Sequence, residues 1–301
     1  MKNFKFNAIT ALIVGLNMAA VNAADGPILN NGLDNTATGQ NVIVIGHKSV
    51  VGGENSTSIG TNTTADGINA LALGTDAKAK VTNPAAANSN KPANLIAIGT
   101  NAKSEAAETV AIGESAKASK HNANAFGSKA KAEGESSLAL GSGSYAKEDS
   151  SVAIGNDSNA TAKSSVALGE STNATAIFAT AVGDSATASG VRSFAAGLNS
   201  NAQSDDSIAI GANTSSTVRG ISIGAEASAY HQGISVGYKS NASGIGSIAT
   251  GVGTSASGLS SIASGSDAVA SSTGSVAIGE QSKATAGYGL AIGAKAKAEH
   301  S

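Results

Sequence analysis

The chain has 301 residues, 41% hydrophobic but only 3% aromatic, with no tryptophan and no cysteine. Large side chains are too scarce to fill a wide globular core, and the absent cysteines exclude a disulfide scaffold. A formal net charge of −2 argues against a nucleic-acid partner, whose phosphates call for clustered basic charge.

Residues 1–23 read as a secretory signal peptide. Lys2 and Lys5 precede an apolar run from Ala8 to Leu16, and Val21-Asn22-Ala23 offers a small-residue cleavage site. The run is too short to span a bilayer. Its removal takes away two lysines and leaves 17 basic against 21 acidic residues. Residues 24–40 are expected to form an N-terminal cap or degenerate coil, because Gly32 is in phase with the glycines of the downstream repeat while its surroundings are degenerate.

From residue 41 to residue 301 one phrase recurs. Ser-Val-Ala-Ile-Gly at Ser151–Gly155 and Ser-Ile-Ala-Ile-Gly at Ser207–Gly211 are typical, and eighteen copies end on glycines from Gly46 to Gly293, mostly fourteen residues apart. A period this short predicts a stack of small units, a solenoid, rather than a domain with one cleft.

Positions in each unit are counted from the closing glycine. Three and one before it stand aliphatic side chains such as Val110 and Ile112, Leu138 and Leu140, or Val152 and Ile154. Between them lies Ala or Ser in every copy but one, the exception being Val44. That alternation predicts a β-strand, and the glycine permits the chain to turn. A second alternation comes after it: Ala, Ser or Thr three residues past the glycine, a variable residue, then Ala in fifteen of eighteen copies, with Val51, Ser104 and Ser216 as exceptions. Each coil is therefore expected to hold two short strands and two turns.

Only small side chains can meet inside a coil two strands thick, so the alanines are expected to point inward and the aliphatics outward. A stripe of paired aliphatics along the stack would exceed the apolar patch a monomer normally exposes. Burying each one contributes about 1.5–3 kcal/mol, which favours self-association. The opposite orientation would give a lone monomer, and it does not explain why the intervening positions stay small.

Gly74 and Gly99 are 25 residues apart, which predicts an insertion loop at about 81–92 containing Pro84 and Pro92. Two spacings of thirteen, Gly211 to Gly224 and Gly224 to Gly237, imply a residue trimmed from a turn. Ser301 stops the pattern in phase, so the sequence is expected to be a truncated piece of a longer array.

The reiterated Ser-Val-Ala-Ile-Gly with its trailing x-x-Ala-x-Ala resembles the head repeat of trimeric autotransporter adhesins, the YadA-like and haemagglutinin-type heads. The resemblance implies an all-β, left-handed parallel β-roll and a homotrimer at the bacterial cell surface or outer membrane. Such heads bind host extracellular-matrix proteins (collagen, fibronectin, laminin) and cells, or mediate self-adhesion. The family's stalk and C-terminal β-barrel anchor have no counterpart in this sequence. If the chain were complete, its location would be extracellular.

No catalytic constellation is expected. His47, His121, His231 and His300 fall in distant coils or unlike positions, so no two should share a metal. The pairs Asp205-Asp206 and Glu148-Asp149 are expected in turns, and no column gathers the carboxylates of a glycosidase. The glycines precede turns rather than helices, which excludes phosphate loops. The reading is therefore of a non-enzyme with no cofactor and no metal.

One column stands out. Lys78, Lys103, Lys117 and Lys131 occupy the variable position of the second strand in four consecutive coils, and Tyr145 comes next there. These residues form a candidate ligand-facing column for acidic polymers, although lysines also simply keep an outer sheet soluble. Two other readings of the whole chain are a non-adhesive structural spacer and an ice-binding solenoid. The second needs a regular threonine array that this column lacks.

Overall fold

Each alternation becomes a strand. The computed structural model describes residues 28–31, 34–82 and 93–299, and among them every regular element is a short β-strand. The signal peptide lies outside the described residues, as do residues 83–92 of the insertion. The chain forms two compact units, Met1–Gly143 and Ser144–Ser301.

In the first unit the strands pair in parallel with their counterparts one repeat away. Val110, Ala111 and Ile112 lie beside Asn124, Ala125 and Phe126, which in turn lie beside Leu138, Ala139 and Leu140. In the segment read as a cap or degenerate coil, Ile28–Asn31 pairs with the strand Val42–His47, and Thr36–Ala37 with Val50–Val51. The insertion leaves the register intact, because Leu71 pairs with Ile96 and Lys78 with Lys103 across it.

The second unit repeats the plan from Tyr145–Ala146 to Lys297–Ala298. Val152, Ala153 and Ile154 pair with Val166, Ala167 and Leu168, while Asn159 pairs with Asn173. Both thirteen-residue coils keep strand register, with Ala209 beside Ser222 and Ser222 beside Ser235. The missing residue comes from the turn after the second strand. There Gly220 replaces the usual serine, and a Cβ on it would lie 2.8 Å from the Thr217 carbonyl oxygen.

The interior is made of small side chains, as the alternation required. Ala111, Ala125, Ala153, Ala167 and Ala209 are fully buried, as are Ala118, Ala132, Ala160 and Ala188 of the second strands. Where a serine opens the phrase it is buried too, as at Ser137, Ser151, Ser165 and Ser207. At several coils its hydroxyl caps the adjacent turn: Ser151 Oγ donates to the Glu148 carbonyl at 2.5 Å and Ser165 Oγ to that of Ala162 at 2.6 Å, whereas the buried hydroxyls of Ser193, Ser247 and Ser261 find no partner among the described residues. Where the interior holds Leu95, the facing residue is Gly67, on which a Cβ would lie 2.8 Å from Leu95 Cδ1.

Turning needs residues in the left-handed region, and they recur every seven residues. Asn101, Glu108, Ser115, Asn122, Lys129 and Ser136 have φ between 55° and 60° in the first unit. Ser150, Asp157, Ser164, Ser171 and Phe178 continue the series in the second. Each fourteen-residue coil is thus two similar halves, each one left-handed residue, one buried small residue and one strand. Asn, Asp and Ser suit this position because short polar side chains tolerate it. Phe178 and Arg192 occupy it at a steric cost.

Candidate functional site

The outward face of the phrase strands is the first functional surface. On it Val110 and Ile112 in the first unit, and Val152, Ile154, Ile208 and Ile210 in the second, are half-buried. Others are more open: Leu140 is 44% exposed and Ile278 41%. Aliphatic side chains stacked at β-sheet spacing of about 4.8 Å leave no room for water between them, yet their outer ends face solvent. Thr57, Asn124, Thr180, Thr250 and Ser264 interrupt the stripe at irregular intervals.

The second surface is the outward face of the second strands. Lys78, Lys103, Lys117 and Lys131 are paired neighbours in parallel register on four consecutive coils of the first unit. Lys117 lies 3.5 Å from Glu105 and 4.0 Å from Glu133, carboxylates two residues beyond the lysine position on flanking coils. Acidic side chains thus sit between the ammonium groups and offset their mutual repulsion. Tyr145, in the second unit, pairs with Asn159 and is half-buried.

Polar ladders run along the turns. Asn41 Nδ2 donates to Asn55 Oδ1 at 3.2 Å, and Asn199 Nδ2 to Asn213 Oδ1 at 3.2 Å, each bond joining successive coils. Asn159 and Asn173 repeat the arrangement on the outer sheet, at 3.2 Å. Identical turns stacked in register bring identical side chains together, so a residue with both donor and acceptor satisfies its own copy.

The concavity beside the insertion is a shallow depression lined by Thr82, Glu105, Ser119, Lys120, His121 and Glu135. Its groups do not form a nucleophile and base. Ser119 Oγ donates to Glu105 Oε2 at 3.3 Å, while His121 Nε2 faces Glu108 Oε2 at 3.6 Å. The serine-to-imidazole bond on which acyl transfer depends is not made.

In each unit, in-register parallel strands enclose an alanine and serine interior and turn their aliphatics out, which defines a repeat solenoid whose working parts are long surfaces. Fourteen stretches between residues 37 and 296 match the YadA head domain repeat, including 37–63, 96–116, 146–170, 188–214 and 270–296. The chain belongs to that family, a structural, adhesin-type domain of trimeric autotransporters. No curated protein matches the sequence.

Sequence reasoning found the inward and outward columns and the lysine position. It missed the burial of the phrase-opening residue, although Ser or Thr there in ten of eighteen copies, with Ala or Gly in most of the rest, was a usable signal. It also missed Glu105 and Glu133 beside the lysines, since the acids belong to a turn column that holds many residue types.

Proposed function

We propose that the chain is the head of a bacterial cell-surface adhesin, exported and homotrimeric, that attaches to host extracellular matrix or cells, or to its own kind, through its repetitive outer surface. The observation that carries this reading is the orientation of the coil. The aliphatic column faces away from the coil's own interior, in a family of trimeric adhesin-type heads. Burial of that column against sister chains leaves the second-strand face and the turns for ligands. Repetition suits this role, because many weak contacts on one rigid array sum to firm attachment.

Within this reading the lysine column is a solubilising feature. Glu105 and Glu133 flank it, so the strip presents alternating charge rather than an unbroken cationic surface for an acidic polymer. The test of the main reading is solid-phase binding of the purified chain to collagen, fibronectin, laminin, cultured cells and itself. Adhesion to at least one is expected. Failure on all of them, with the oligomer intact, would leave a spacer as the better description.

A further inference from the structure

The aliphatic face carries a side chain that does not belong in an apolar contact. Asn124 stands in the outward column between Val110 and Leu138, paired in register with both, and is half-buried there. Its Nδ2 donates to the Asn122 carbonyl at 3.0 Å. Among the described residues no group donates to its Oδ1, and its second N–H is also unused within the chain. The other interruptions are milder. Threonine at positions 57, 180 and 250 keeps a branched shape close to valine, and only Asn124 brings a carboxamide.

We infer that Asn124 sets the axial register of chains associating through this face, the partner being further copies of the same chain. The inference rests on the self-association proposed above. The stripe is otherwise degenerate: one chain displaced by one coil along another still sets aliphatic against aliphatic, because every coil offers much the same pair. In a register displaced by one coil the carboxamide of Asn124 faces Val110 or Leu138 of its neighbour and loses water without gaining a partner. At equal level, copies of Asn124 face one another, and each amide supplies the donor and acceptor the others lack. A lone polar residue in an apolar contact is a known device for fixing register at some loss of stability.

The absence of native cysteine makes the test direct. Full-length chains carrying Val110→Cys or Leu138→Cys are mixed, assembled and oxidised, and the disulfides are mapped by peptide mass. The two positions are two coils apart, roughly 9.6 Å along the stack, beyond the reach of a disulfide between chains in register. With Asn124 present, only like-with-like bonds are expected. With Asn124→Val, mixed bonds between the V110C and L138C chains, whose positions come within about 4.8 Å along the stack in a register displaced by one coil and become level in one displaced by two, should rise severalfold over background, and the oligomer should melt at a higher temperature. Asn124→Gln, which keeps the carboxamide, should restore like-with-like bonding. Mixed bonds already present with Asn124, or an Asn124→Val oligomer unchanged in both bonding and melting, would overturn the inference while leaving self-association standing. A monomeric molar mass for all variants would instead remove the self-association itself, and the register inference with it.

Discussion

Arg192 and Asp206 occupy the same left-handed turn position on successive coils, and the guanidinium grips the carboxylate with both arms. Nε donates to Oδ1 at 2.7 Å and Nη2 to Oδ2 at 3.0 Å. Asp205, one residue earlier, accepts at 2.8 Å from the Val191 backbone N–H, so two neighbouring acids staple the same pair of coils. The fourteen-residue repeat puts residues with no local relation directly above one another.

That pair predicts a pH dependence. Hydrogen bonding from Arg192 holds the pKa of Asp206 below the ordinary carboxylate value. A depressed value in the folded state means the contribution is fully present above the unfolded value of about 3.9 and fades as pH falls through the folded one. Asp206→Asn should therefore lower the melting temperature slightly at pH 7 and have no effect once pH is below the folded value. A melting curve series from pH 7 to pH 2 checks this, and an equal effect at both ends would contradict it.

Gly155→Ala should be among the most damaging single-methyl additions. The residue has φ of 131°, and a Cβ would lie 2.2 Å from the Gly169 carbonyl oxygen of the next coil. Backbone strain alone costs roughly 1–3 kcal/mol, and the clash adds to it. Because coils in a solenoid rely on their immediate neighbours, the damage should appear as local opening. Hydrogen exchange around residues 150–170 should accelerate before distant coils respond.

Inward and outward positions on one strand should respond in opposite ways. Ala153→Leu inserts a large side chain where exposure is zero. It should cost about 1–3 kcal/mol or more through overpacking, which chemical denaturation reads. Ile154→Lys with Ile210→Lys places charge on the half-buried outer column. The coil should stay folded by circular dichroism while light scattering reports loss of the oligomer. An oligomer that survives both lysines would mean that this face is not the contact.

Replacing Lys78, Lys103, Lys117 and Lys131 together with glutamine should leave matrix binding and its salt dependence unchanged. Glu105 and Glu133 already offset the charge of Lys117 at the centre of the column, and such solvent-facing pairs each contribute little. A severalfold loss of binding at low salt that disappears at high salt would instead assign the column to ligand capture.

What the sequence determined by itself is the sidedness of every strand and the order of stacking. Ala111 between Val110 and Ile112 is enough to say which way each points, because a strand alternates faces and the inside of a two-strand coil favours small groups. Register comes from the period, since any coil placed one repeat on meets the same pattern. What only the tertiary structure decided lies in the turns and across the stack. The left-handed residues every seven positions, the buried hydroxyl of Ser151, the setting of Glu105 and Glu133 around Lys117, and the grip of Arg192 on Asp206 depend on how far each turn carries the chain sideways. Periodicity fixes what lies above what, but lateral distance is set by backbone angles, and many residue types adopt those angles at similar cost.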